Sequence, residues 1–268
     1  MRIRGRPADE CVLFVGRGGS GTRLLSELAA AAGIFVGNRV NKSGDSKEWI
    51  DLIYRMAVET RRERELPTGS RYRREIRRTA DEILSAAPSG RPDRWGLKLP
   101  EAMLVLPLLV DAFPRAKVVH LVRHPVSSSL RRSHTTSRLG NRVGRAVLRT
   151  AYRYAGRDKA LVETDEVFLN NAYSWNFQVA RVVDYARREL PGSQYLELKY
   201  EAVCRDPGHA FTTFQAFLGR PDEGGPTSLS VDHSRAGEWE SDDPRVQVIW
   251  DICGETAEAI GYTRDGPG

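Results

Sequence analysis

The chain has 268 residues, of which 40% are hydrophobic and 28% charged, with a formal net charge of +6. This is globular composition and excludes a fibrous, collagenous or wholly disordered protein, and no apolar run reaches the roughly 18 residues a membrane-crossing helix needs. Cys11, Cys204 and Cys253 are odd in number and too dispersed for a disulfide framework or a zinc site, and the charged MRIRGRPADE precedes too short an apolar run for a signal peptide, so a reduced, cytoplasmic protein is expected.

In chain order, CVLFV (11–15) reads as a short buried strand, followed by a glycine-rich turn and a helix ending at Gly33. IFVG (34–37) reads as a second short strand. Residues 47–65 and 71–86 read as charged helices, and WGLKL (95–99) as a strand running into a helix over PEAMLVLPLLVDAF. KVVHLV (117–122) has the continuous apolar character of a parallel strand covered on both faces. A helix from about Pro125, an arginine-rich segment to 157 and a long helix over 165–190 follow. The strand QYLELKY (194–200), a helix over 207–218, a loop over 219–243 and a last helix over 244–260 complete the chain. Strands alternating with helices predict an α/β fold, a doubly wound parallel sheet flanked by helices.

The first turn, GRGGSGT (16–22), has the form of a phosphate cradle, with backbone N–H groups and a helix N-terminus aimed at one spot. As a mononucleotide loop it lacks the lysine and the metal-binding hydroxyl, because Thr22 and Arg23 stand at those positions. Gly16, Gly18 and Gly21 also match the GxGxxG dinucleotide pattern. The acid expected after the second strand is replaced by Asn38 and Arg39, which leaves an NADP-dependent oxidoreductase as an alternative. An ordinary glycine-rich strand-to-helix turn is the third option. Of 41 basic side chains only six are lysines, and the arginine bias suits bidentate recognition of phosphate or sulfate.

GRGGSGTRLL resembles the 5′-phosphosulfate loop of sulfotransferases that use 3′-phosphoadenosine 5′-phosphosulfate (PAPS). The resemblance continues through Lys98 in WGLKLPEAMLVLPLLVDAFP, KVVHLVRHP (117–125), GSQYLELKYEAVCRDPGHAFTTFQAFLGRP (192–221) and SRAGEWES (234–241). It implies a single domain over 1–268 with a P-loop-like sulfotransferase fold and acceptor-side helical insertions at about 38–94 and 134–171. It also implies PAPS as sulfonate donor, no metal, and a hydroxyl or amine acceptor.

By that resemblance, Arg17, Gly18, Gly19, Ser20, Gly21, Thr22 and Arg23 surround the 5′-phosphate, with either Arg17 or Arg23 serving the bridging oxygen. Arg123 holds the 3′-phosphate. Arg131 stands where the family has a serine, with Ser127, Ser128 and Ser129 nearby. Tyr200 lies near the adenine, and Arg235 belongs to the stretch that closes over the nucleotide. Lys98 is the cation at the transferred sulfonate. The base is assigned to Asp45 or Glu48, three apart and able to share a helix face. Glu101 is a further candidate, and His120 reads as a core histidine.

Residues 131–157 hold eight arginines and no acid. Arg138, Arg142, Arg145, Arg149 and Arg153 follow helical spacing and predict a cationic stripe. Such a face suits a small-molecule, lipid or glycan acceptor that is anionic or membrane-associated, or a partner protein. Without aromatic-basic interleaving, nucleic acid is not expected.

Overall fold

A computed structural model of the chain describes residues 10–60, 70–220 and 239–267. Strands β1 (Val12–Val15), β2 (Gly96–Lys98), β3 (Lys117–Val122) and β4 (Tyr195–Lys199) form one parallel sheet in the order β2-β1-β3-β4. Side chains of a strand alternate between faces, and here both faces are buried. Cys11, Leu13 and Val15 enter one apolar cluster, whereas Val12 and Phe14 enter another.

The first cluster is closed by α2 (Ile50–Glu59), α3 (Ser70–Ser85), α4 (Leu106–Ala112), α6 (Arg142–Tyr154) and part of α7 (Val167–Glu189). The second is closed by α1 (Arg23–Ala31), α8 (Tyr200–Arg205) and α9 (Pro207–Leu218). A third joins α5 (Pro125–Ser129), α7 and α10 (Pro244–Ala259) to the end of β3. A small hairpin, β5 (Tyr262–Thr263) with β6 (Gly266–Pro267), follows α10. The Asp206-Pro207 pair is a helix start: Asp206 accepts from the amide of His209 at 2.9 Å, and proline needs no partner at that position.

Several expected elements change. Residues 34–37 do not make a strand. Phe35 forms one bridge to Trp95, then Gly37 at φ +140° turns the chain outward. It returns at Ser46, whose amide donates to Lys98 O at 2.7 Å. The helix expected over 47–65 is a 3-10 turn, Lys47–Trp49, followed by α2, and 61–69 lie outside the described residues. A 3-10 turn, Pro100–Val105, likewise precedes α4, with the break at Val105, shortly before Pro107. The arginine-rich segment starts with a 3-10 turn, Thr135–Ser137, and α6 begins only at Arg142. Asn141 caps α6 by accepting from Val143 and Gly144 amides, so Arg138 falls outside the helical stripe. Among the described residues, no helix is long and apolar enough to cross a membrane.

Candidate active site

All four parallel strands deliver residues to one edge, the C-terminal edge where open α/β sheets build their sites. β1 runs into the glycine loop, β2 ends at Lys98, β3 leads into Arg123, and β4 leads into Tyr200.

In the loop, Gly19 (φ +92°) and Gly21 (φ +81°) hold left-handed conformations that favour glycine. A β-carbon on Gly19 would run into the His134 imidazole, and one on Gly21 into the Tyr200 ring. His134 and Tyr200 therefore wall the loop on two sides. Ser20 is buried and its amide donates to Arg17 O at 3.0 Å. Thr22 is the N-cap of α1 but its side chain makes no capping bond; the amides of Leu24 and Leu25 donate instead to Gly21 O at 3.0 Å and Thr22 O at 3.1 Å.

The structure separates the two loop arginines. Arg17 is 1% exposed and lies under the loop. Its Nη2 donates to Ser137 Oγ at 3.2 Å and Asn171 Oδ1 at 3.1 Å, its Nη1 donates to Gly18 O at 3.3 Å, and its Nε has no partner. Among the described residues no carboxylate pairs with it. Burial lowers its pKa to about 10, so it keeps its charge at neutral pH. Arg23 points outward instead: its side chain is 72% exposed, beside Glu27 at 3.8 Å.

Arg123 is buried where β3 ends. Its Nε donates to Ser127 Oγ at 2.9 Å, and its guanidinium lies 4.4 Å from the centroid of the Tyr200 ring. Burial, then the nearby positive charge of Arg131, lowers the Arg123 pKa. The hydroxyls of Ser128 and Ser129 are buried without partners in the same short helix. The next residue, His124, is locked as a neutral ring, with Nδ1 accepting from Val126 N at 3.3 Å and Nε2 facing Thr263 O at 2.8 Å. Trp239 stacks on that ring with centroids 4.3 Å apart. Arg235 lies outside the described residues.

Lys98 has no solvent exposure, and its ammonium donates to Asp45 Oδ1 at 2.5 Å and to Ser43 O at 2.9 Å. Asn41 Nδ2 holds the other oxygen of Asp45 at 2.8 Å. Burial lowers the Lys98 pKa, with Asp45 and Glu101 opposing it. Glu101 is 5% exposed. Burial raises its pKa, the charge of Asp45 adds to this, and Thr135 and Lys98 oppose it. Tyr54 completes the cluster; burial, then Glu101, pushes its hydroxyl up to about 12.

Glu48 is not beside Asp45 on a helix face, because Asp45 still belongs to the loop and Glu48 to the 3-10 turn. Its Oε1 accepts from the amides of Asn38 and Arg39, each at 2.7 Å, and so holds the turn after Gly37. The structure thus gives Glu48 a backbone-holding place and brings Glu101 into the Lys98 group. His120 is a core residue as expected: it is buried, bonded to Tyr195 at 2.8 Å and lowered by burial to about 3.

Sequence reasoning missed His134 and Asn171. His134 covers Gly18 and Gly19; burial, then Arg17 and three neighbouring arginines, lowers it to about 4, so the ring is neutral. Asn171 is fully buried on α7 and contacts both Arg17 and Ser137. A signal existed: Asn171, Ser174 and Gln178 are spaced +3 and +4, a polar stripe on a buried helix face. Ser174 and Gln178 bond to Thr136, so the stripe docks the 134–137 turn.

A family model described as "Sulfotransferase family" matches residues 14–224. No curated protein matches the chain by sequence. Among solved structures, the chain is similar to the sulfotransferase domain from the curacin biosynthetic pathway, with 15% identity, TM-score 0.52, and 95% of this chain and 98% of that chain covered. It is also similar to the sulfotransferase domain of the Synechococcus PCC 7002 olefin synthase, with 16% identity, TM-score 0.51 and 94% of each chain covered. The sulfotransferase STF1 from Mycobacterium tuberculosis H37Rv matches with 14% identity and TM-score 0.50 over 92% of this chain and 77% of that one. At such identities the structures speak for the fold, a P-loop-like α/β sheet, and the family match speaks for the class. Neither supports the NADP-linked reading of the GxGxxG turn. With residues 14–224 matched, the chain belongs to the sulfotransferase family.

Proposed function

We propose that this protein moves a sulfonate group from PAPS to the hydroxyl or amine of an acceptor. One observation carries the donor assignment: a fully buried guanidinium, Arg17, with no carboxylate partner among the described residues, lies directly beneath a loop built like a phosphate cradle. A buried charge needs a counter-charge, and an anion on the loop supplies it. The partnerless hydroxyls of Ser128 and Ser129, beside Arg123 and Arg131, fit a second anionic group in the same way.

PAPS supplies, when bound, a sulfonate on a phosphate leaving group, so its transfer requires charge stabilisation at the leaving oxygen. In the proposed division of labour the loop amides, Ser20 and Thr22 hold the 5′-phosphate, with the charge of Arg17 behind them. Arg123, Arg131 and the serines of α5 hold the 3′-phosphate, and Tyr200 packs on Arg123 near the base. Lys98 sits at the strand end with its ammonium already oriented by Asp45, so little reorganisation is needed when charge develops there. We assign proton removal from the acceptor to the carboxylates of this cluster, with Glu101 first, because its raised pKa makes it a better proton acceptor than an ordinary carboxylate.

Calorimetric titration with 3′-phosphoadenosine 5′-phosphate (PAP), run with and without EDTA and beside NADPH, tests the donor assignment. Metal-independent binding of PAP without binding of NADPH is expected. A strict magnesium requirement, or preference for NADPH, would overturn it.

A further inference from the structure

The arginine stripe is not absorbed by the donor site. Arg142, Arg145, Arg149 and Arg153 on α6, with Lys159, line a pocket of about 490 Å³ whose opposite wall includes Val58 of α2. Among the described residues, Glu163 is the acid paired with the stripe, at 3.4 Å from Arg149. Other acids nearby face elsewhere: Asp158 accepts from the Ala160 amide and Asp165 from the Tyr152 hydroxyl. Arg145 and Arg153 spend their Nε groups on the carbonyls of Leu139 and Arg149, which holds the arginine stems in place. Like charges at one helical turn repel, so gathering five cations around one pocket costs stability unless an anion binds there.

The pocket approaches the reaction cluster along α2. Val58 is one helical turn, about 5.4 Å, beyond Tyr54 of the Lys98 group. The arginines stand on the exposed face of α6, whereas its buried face packs Gly144 against the carbonyl of Thr135, so the route from the pocket runs along α2, past Val58 to Tyr54. A molecule with one end among the arginines and its body along that route would bring its other end beside Tyr54, which interacts with Glu101 and Thr135.

We propose that this pocket binds the anionic end of the acceptor, so that the sulfonate goes to the hydroxyl or amine of a small molecule that already carries a phosphate, sulfate or paired carboxylate group. The proposal rests on the sulfotransfer reading above and assigns the acceptor class for it. Guanidinium forks suit bidentate oxyanion recognition, and Val58 with Ala146 gives the pocket an apolar wall for the carbon skeleton.

The test uses the full chain saturated with PAP and titrated with inorganic pyrophosphate. One further site is expected, and Arg145→Gln with Arg149→Gln should weaken it by about tenfold or more, the scale of one lost charged hydrogen bond, with PAP affinity unchanged. Lysines at both positions should restore part of the binding. Pyrophosphate that binds only in competition with PAP, or equally well to the double variant, overturns the proposal. So does retention on phosphatidylglycerol vesicles through these arginines without pyrophosphate binding, which would make the stripe a membrane-facing surface. Failure of PAP itself to bind defeats the donor assignment and leaves the pyrophosphate result readable. For any acceptor returned by a radiolabelled-donor screen, the double variant should raise KM about tenfold with kcat held. An uncharged acceptor whose KM does not move overturns the proposal.

Discussion

The side-chain amide of Asn171 accepts from Arg17 Nη2 at 3.1 Å while its own NH2 donates to the carbonyls of Arg131 at 2.8 Å and Ser129 at 3.0 Å. One buried residue of α7 thus ties the arginine beneath the glycine loop to the chain that leaves α5. The glycine loop's underlying arginine and the backbone at Arg131 are held by the same amide. Asn171→Leu leaves a buried guanidinium and two carbonyls short of partners. It should cost about 1–3 kcal/mol of stability per group so left. It should also weaken PAP binding. Denaturant unfolding and calorimetry check both, and unchanged values for both would show that the amide is incidental.

Under the proposed assignment, Lys98 should separate chemistry from binding. Lys98→Ala should bind PAP nearly as well as the parent yet lose on the order of 10²–10³ in turnover, the usual loss for removing one preorganised donor at developing charge. Asp45→Asn should lose turnover as well, since the ammonium is then held by a neutral group. Single-turnover assays with a known acceptor decide this, and full turnover by Lys98→Ala would remove the lysine from the site.

Arg123→Ala should weaken PAP by about 1.5–3 kcal/mol, the range for hydrogen bonds to a charged group. Adenosine 5′-phosphate, which lacks the 3′-phosphate, should bind the variant and the parent alike. Equal losses for both ligands would place the arginine elsewhere, for example in fixing Tyr200.

Glu101 sets an expectation for pH. A base must be ionised, and burial holds this carboxyl above the ordinary carboxylate value. Turnover should therefore fall on acidification at a higher pH than a solvent-exposed carboxylate would give. Glu101→Gln should abolish that limb along with most of the rate. A profile whose acidic limb survives the substitution would assign the base to Asp45.

Stability should also fall with acid. His120 and His124 are buried neutral, with pKa values lowered to about 3 and about 4 from 6.5. The unfolded chain binds more protons between those values and 6.5, so stability is present above about pH 6.5 and is lost as pH drops toward 4 and 3. Between pH 7 and pH 5 the loss should be about 2 kcal/mol for each ring. Urea midpoints across this range, with His120→Gln as comparison, measure it.

By itself, the sequence determined the order of the four sheet strands, most of the helices and the loop between β1 and α1, because apolar runs, glycines and caps act over a few residues. The Asp206-Pro207 helix start and the strand-end positions of Lys98 and Arg123 were legible for the same reason. Other features depend on contacts far apart in the chain. Asp45 meets Lys98 because the chain leaves the sheet at Gly37 and returns at Ser46, and no local periodicity encodes that excursion. Only the packing of α7 brings Asn171 under Arg17, and only the 134–137 turn lays His134 on Gly19. Spacing suggested that Asp45 and Glu48 share a face, and the resemblance left open whether Arg17 or Arg23 serves the bridging oxygen. Packing parted both pairs, burying Arg17 and exposing Arg23, since a side chain's neighbours are set by which elements stack on it and not by its position in the chain.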